Sequence, residues 1–237
     1  MAKLLIFLFC WLLSVTGCSV KQEQDNGSAS LMANGTTGEL KWELGEDGTL
    51  SISGKGEMPD YNYDFVNEEY HFPSPWYEYR ENITNVIIGD EVSAIGEAAF
   101  AGFSKMTSVD IGNSVTIIGK NSFVSSKSLT SIVIPNSVIT IGSWAFSYCT
   151  NLTSVTIGSS VSTIEDSAFR MCGNLSEIIN YREIPQIIQL YMISELSSFP
   201  FVGIDRANCT LFVPIGSVES YRSNEVWNWF VNIKEIQ

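Results

Sequence analysis

The chain has 237 residues with 13 basic and 26 acidic side chains, giving a net charge of −13 and only one histidine. That acidity argues against nucleic acid and against adhesion to anionic headgroups, since both need basic patches. A lone histidine, His71, excludes multi-histidine metal sites. No Gly-x-Ser-x-Gly elbow and no glycine-rich phosphate loop occurs.

Residues 1–17 read as a signal peptide. Lys3 supplies the positive start, and Leu4–Leu13 is an apolar run too short to span a bilayer stably. Small residues then precede a cysteine, in the order Val15-Thr16-Gly17-Cys18. The pattern resembles the lipobox of bacterial lipoproteins, which implies cleavage before Cys18 and acylation of that residue. The alternative is a plain secretory signal with an incidental thiol. Each buried CH₂ of an acyl chain contributes roughly 0.8 kcal/mol to membrane anchoring. Ser19 after the cysteine is consistent with outer-membrane sorting. Residues 18–38 are rich in Gln, Asn, Ser, Gly and Thr, a composition that buries no core and predicts a flexible tether.

Residues 39–82 read as an N-terminal cap. Leu40–Leu44 alternates apolar and polar, Asp47-Gly48 is a hairpin turn signal, and Thr49–Ser53 continues as a second strand. Asp60–Tyr79 is crowded with aromatic and acidic residues, and Pro59, Pro73 and Pro75 prevent a continuous helix. Tyr61, Tyr63, Phe65, Tyr70 and Phe72 are candidate ligand contacts, because tyrosine and other rings dominate interface hot spots. Trp76, Tyr77 and Tyr79 are expected to cover the first repeat.

From residue 83 to 179 a 23-residue unit repeats, aligning Ile83–Lys105, Met106–Ser128, Leu129–Asn151 and Leu152–Asn174. A period of this size means stacked units, each too small to bury its own apolar face. Valine recurs at Val92, Val115, Val138 and Val161, and isoleucine at Ile95, Ile118, Ile141 and Ile164. Phe100, Phe123, Phe146 and Phe169 should stack as an internal ladder. Leu152–Ile157 alternates as a half-buried strand, and turn formers follow it, as in Gly158-Ser159. Gly96, Gly119 and Gly142 share one position that Glu165 fills in the fourth repeat, so a positive φ is not obligatory there. Cys149 and Cys172 also share a position, with Phe103 and Ser126. That column reads as semi-buried packing, and neighbouring coils also lie close enough for a disulfide.

Residues 180–237 read as a degenerate repeat and C-terminal cap. Ile187–Ile193 is apolar, read as an amphipathic helix filling the stack's end or as an exposed contact patch. Cys209–Val213 reads as a strand ended by Pro214, and Ser217 is a candidate N-cap for a short helix. Trp227, Trp229 and Phe230 are expected to cover the last repeat, and Asn232–Ile236 to close it as a strand.

Several of these stretches resemble the BspA-like leucine-rich-repeat proteins of Bacteroidetes and related bacteria. The carriers are Leu152–Ile157, Ser137–Gly142, Ala145–Cys149, the cap stretches Asp47–Gly54, Met58–Tyr61 and Pro75–Tyr77, and the closing Cys209–Pro214 with Gly216–Val218. The resemblance implies a β-rich leucine-rich-repeat solenoid with short parallel strands, turns and 3-10 segments, a β-hairpin cap and a helix/strand cap. It also implies a non-catalytic, lipid-anchored protein of the cell envelope, outer membrane or surface. Such a protein binds a protein or glycan ligand on host matrix or another cell and touches membrane only through its lipid. A structural or scaffolding subunit of an envelope complex is the second reading. A hydrolase is the third, and it needs two facing carboxylates. The acid pairs Glu68-Glu69, Asp90-Glu91 and Glu165-Asp166 sit at turns and read as solvated. No catalytic residue, metal ligand or cofactor is assigned.

Overall fold

The computed structural model describes residues 30–62, 64–66, 69–71, 73–189 and 199–237. Cys18, the signal and most of the tether lie outside the described residues. The tether expectation fails at its C-terminal end, because Leu31–Thr37 forms a strand, β1. It pairs antiparallel with β2 (Leu40–Gly45), which pairs with β3 (Thr49–Ser53). Gly35 lets β1 close on Trp42, since a Cβ there would meet the indole Nε1 at 2.8 Å. Short β4 (Gly56–Glu57) and a hairpin of β5 (Asp64–Val66) and β6 (Glu69–His71) follow.

Each coil then contributes two strands. They are β7 (Asn85–Ile88) and β8 (Val92–Ile95), β9 (Ser108–Ile111) and β10 (Ile117–Ile118), then β11 (Ser131–Ile134) and β12 (Thr140–Ile141). The next two coils add β13 (Ser154–Ile157) and β14 (Thr163–Glu165), then β15 (Glu177–Asn180) and β16 (Ile187–Gln189). The chain ends with β17 (Thr210–Val213), the one-turn helix α1 (Val218–Arg222) and β18 (Asn232–Glu235). Ser217 heads α1, yet its side chain makes no capping bond.

The coils stack into a β-solenoid. One face carries β3, β7 and β9 in parallel, then β11, β13, β15, β17 and β18. The second face is the parallel sheet β4, β8, β10, β12, β14, β16. The first face is interrupted between β9 and β11. Beside that break stands Pro135, which has no N–H, at the position where Gly89, Gly158 and Tyr181 donate to the preceding coil.

The third side is a stack of turns carrying the phenylalanines. Phe100, Phe123, Phe146 and Phe169 are fully buried, with centroids 5.2, 5.2 and 5.3 Å apart and planes within 11°. Trp76 extends the stack at one end, 5.6 Å from Phe100, and Phe201 at the other, 5.6 Å from Phe169. Trp227 and Phe230 close on Phe201.

Hydrogen bonding along this side runs one way. Ala98, Phe100 and Gly102 donate to the carbonyls of Lys120, Ser122 and Val124, and the pattern repeats from Asn121, Phe123 and Ser125 onward. Left-handed residues flank each ring: Ala98, Asn121, Trp144 and Ser167 before it, and Gly102, Ser125, Tyr148 and Met171 after it. The first coil would leave unpaired carbonyls at the N-terminal end. Trp76 Nε1 donates to Ala99 O at 2.8 Å, and the Tyr61 N–H donates to Glu97 O at 2.8 Å.

The shared glycines follow from packing. A Cβ at Gly96, Gly119 or Gly142 would meet backbone atoms 1.8, 2.6 or 2.7 Å away, and none of the three has a positive φ. Glu165 escapes because β14 runs one residue further than its counterparts and takes Glu165 into the strand. The fifth coil corrects the helix expectation over its described part. Ile187–Gln189 is a strand in register with Thr163–Glu165, because its backbone continues an existing sheet.

Candidate ligand-binding site

The sequence-derived candidates separate on placement. Tyr61 is buried, packs edge-on against Trp76 at 5.6 Å and hydrogen-bonds its hydroxyl to that of Thr37. Burial pushes its phenol up to about 12. It is a core residue, which withdraws it as a ligand contact. The side chains of Tyr63, Phe65, Tyr70 and Phe72 lie outside the described residues; the backbone pairs Phe65 with Tyr70 across the hairpin.

Other candidates are tied into the stack. Cys149, Cys172 and Cys209 are buried free thiols. Cys149 Sγ and Cys172 Sγ donate to the carbonyls of Phe123 and Phe146, at 3.3 and 3.2 Å. Burial raises all three thiols, Cys172 and Cys209 to about 12. Asp166 is buried, against the solvated reading, and accepts from Ser143 Oγ at 2.7 Å; Glu165 accepts from the same hydroxyl at 2.9 Å. That pair therefore converges on one serine. Among the described residues no cluster of His, Cys, Asp and Glu can hold a metal ion. No described helix is long and apolar enough to cross a membrane.

The outer surface of the first face carries chemistry that varies from strand to strand over a row of inward apolar residues. Strand register aligns Ile87 with Asp110, Val133 with Thr156, and Ile179 with Phe212 and Lys234, all pointing away from the core. The inward partners are Val86, Val109, Ile132, Val155, Ile178, Leu211 and Ile233, all apolar and all buried except the half-buried Val109. Apolar, acidic, hydroxyl, aromatic and basic groups thus follow one another at the strand spacing of about 4.8 Å.

A groove of about 740 Å³ runs along one margin of that face. Pro135 and Gly158 contribute no long side chain to it, Val133 and Thr156 stand on one side, and Asn113, Asn136 and Ser159 on the other. Tyr181 closes one end, and with Ser159 it also lines a second hollow of about 290 Å³ containing Arg182, Glu183 and Ile184. The sequence reading missed Tyr181. The signal was the step of 23 residues from Gly158, beyond the last aligned repeat.

The segment holding Tyr181 is firmly anchored. Asn180 and Gln186 are buried and exchange two amide hydrogen bonds of 2.9 Å. Asn180 lies where earlier coils place Ile111, Ile134 and Ile157. Its Oδ1 also accepts from the Arg182 N–H at 3.2 Å, and the Tyr221 hydroxyl donates to Arg182 O at 2.8 Å.

Residues 71–197 match the model of the BspA type leucine rich repeat region, in six copies. The chain belongs to the BspA-type leucine-rich-repeat family. No curated protein matches. Among solved structures, this BspA-type chain is similar to a leucine-rich repeat protein from Eubacterium ventriosum, at 22% identity and TM-score 0.34, covering 75% of this chain and 76% of that one. It is similar to a leucine rich cell surface protein from Faecalibacterium prausnitzii, at 21% identity and TM-score 0.36, covering 86% of this chain and 54% of that one. A leucine-rich repeat protein from Bacteroides ovatus is similar at 16% identity and TM-score 0.30, covering 85% and 67%.

Proposed function

We infer that this BspA-type chain is a non-catalytic binding protein of the cell envelope, lipid-anchored at Cys18 and presenting its solenoid face to a protein or glycan ligand. The observation that carries the reading is the outward row from Ile87 to Lys234, heterogeneous where the inward row is uniformly apolar. A core needs the inward uniformity, and outward variety at fixed spacing is what a recognition surface can use. Tyr63, Phe65, Tyr70 and Phe72, in the sequence from 63 to 72, are proposed as a second set of contacts, adhering to host matrix or to another cell.

The test is saturable binding of the purified full-length protein to immobilised extracellular-matrix proteins and mucin. Substituting Val133, Thr156 and Ile179 together with lysine should abolish it while leaving the melting transition in place. Failure to bind any surface defeats the reading. For the anchor, palmitate incorporation in the producing cell should disappear in Cys18→Ser; persistent labelling refutes acylation there.

A further inference from the structure

Tyr181 is out of character for its position. Stepping by 23 residues, the column runs Gly89, Gly112, Pro135, Gly158, Tyr181, so four coils place glycine or proline where the fifth places an aromatic ring. The core makes little use of that ring, which is 47% exposed. Yet its main chain is held by Ile157 O, and the adjoining Arg182 by the buried Asn180 and by the Tyr221 hydroxyl. A buried amide pair replaces an isoleucine to build this turn, and such a supporting layer fixes a side chain for contact with a ligand.

The groove's chemistry selects the class of ligand. Pro135 has no N–H, and those of Gly158 and Tyr181 are already bonded to Ile134 O and Ile157 O. An extended peptide lying there finds no main-chain donors at these three positions, which removes the basis of strand addition. Recognition falls to side chains. Asn113, Asn136, Ser137, Thr156 and Ser159 are all neutral, and the Asn136 Nδ2 has no partner among the described residues. In the adjoining hollow Arg182 gives Nη1 to Ser159 O at 3.3 Å, which holds the guanidinium beside that serine. The net charge of −13 repels anionic sugars. From Asn113 to Tyr181 the groove crosses three coil steps, about 14 Å.

We propose that this groove binds a short neutral oligosaccharide, with one sugar ring stacked on Tyr181 and its hydroxyls bonded by Asn136, Ser159 and Arg182. The electron-rich face of the phenol meets the C–H face of the sugar, while amides and hydroxyls around it match the sugar's edge. The assignment rests on the reading of this chain as a binding protein.

The full-length protein is tested on an array of neutral, sialylated and sulfated oligosaccharides, beside an unglycosylated recombinant matrix protein. Wild type should be retained by one or more neutral oligosaccharides. Tyr181→Ala should weaken that binding at least about tenfold, and Tyr181→Phe, which keeps the ring, should retain most of it. Thr156→Trp fills the groove from the outer face and should abolish binding independently, covering the case in which Tyr181→Ala disturbs its coil. Wild type silent on all neutral sugars, or Tyr181→Ala and Thr156→Trp at full affinity, overturns the assignment. So does retention by the sialylated or sulfated sugars alone. Binding to the unglycosylated matrix protein with no sugar retained overturns the ligand class while sparing the broader reading, whereas silence on every surface ends both.

Discussion

Among the described residues, seven other than glycine adopt left-handed backbone in the turns, each between +55° and +61°. For an L-residue this conformation costs roughly 1–2 kcal/mol, offset here by inter-coil hydrogen bonds and ring stacking. The first coil shows the relaxed alternative, with Gly102 at +78° where the next coil has Ser125 at +61°. Ser125→Gly should therefore raise stability by about 0.5–1 kcal/mol, and Ser125→Val should lower it by a similar amount or more, read by denaturant unfolding. The buried thiols add a pH dependence. Cys172 and Cys209 rise from near 9 to about 12, and the Tyr61 phenol from 10 to about 12, all because burial penalises the charged form. The folded state keeps protons that the unfolded chain loses above pH 9. Stability from these groups is thus complete below pH 9 and declines as pH climbs from 9 toward 12. Melting temperature followed over that range should fall on the alkaline side, less steeply in Cys172→Ser, and thiol reagents should label Cys149, Cys172 and Cys209 only after unfolding.

The elements that could be read from sequence were those whose period survives. Four coils declare themselves because Phe100, Phe123, Phe146 and Phe169 recur at one spacing, and the Asp47-Gly48 turn announces β2 and β3. The fifth coil hides because 32 residues separate Phe169 from Phe201, breaking the period although its backbone stays in register. β1 hides for another reason. Its residues show no clean apolar/polar alternation and are mostly exposed, Leu31 and Met32 included, so its order comes from main-chain pairing with β2, which composition does not record. The site was harder still: the aromatic-rich loop looks uniform in sequence, yet Tyr61 and Trp76 enter the core, and Tyr181 lay beyond the alignment. Trp76 shows how a cap is made. A phenylalanine would preserve the stack on Phe100 but lose the N–H that satisfies Ala99 O. Trp76→Phe should cost about 1–3 kcal/mol, the cost of leaving a buried acceptor unpaired. An unchanged unfolding free energy would show that the one-way ladder needs no donor at its start.

At the scale of the molecule, each coil touches only its neighbours, so lesions should report their position along the stack. Phe146 lies between Phe123 and Phe169 in the interior, whereas Trp227 covers Phe201 from outside the last coil. Truncating either ring removes a buried aromatic, an effect of about 3–5 kcal/mol if the whole fold bears it. Phe146→Ala opens a cavity from which opening spreads both ways, so amide protection should fall in β9 to β15 alike. Trp227→Ala frees one end. Its effect should concentrate on residues 199–213 and β18, leaving the amides of Phe123 and Ile132 near wild-type exchange rates. Hydrogen exchange resolved by residue separates these patterns. If Trp227→Ala lowers protection as strongly at Ile132 as at Leu211, the coils unfold as one cooperative block. The face from Ile87 to Lys234 is then a single rigid surface that no end lesion can loosen piecemeal.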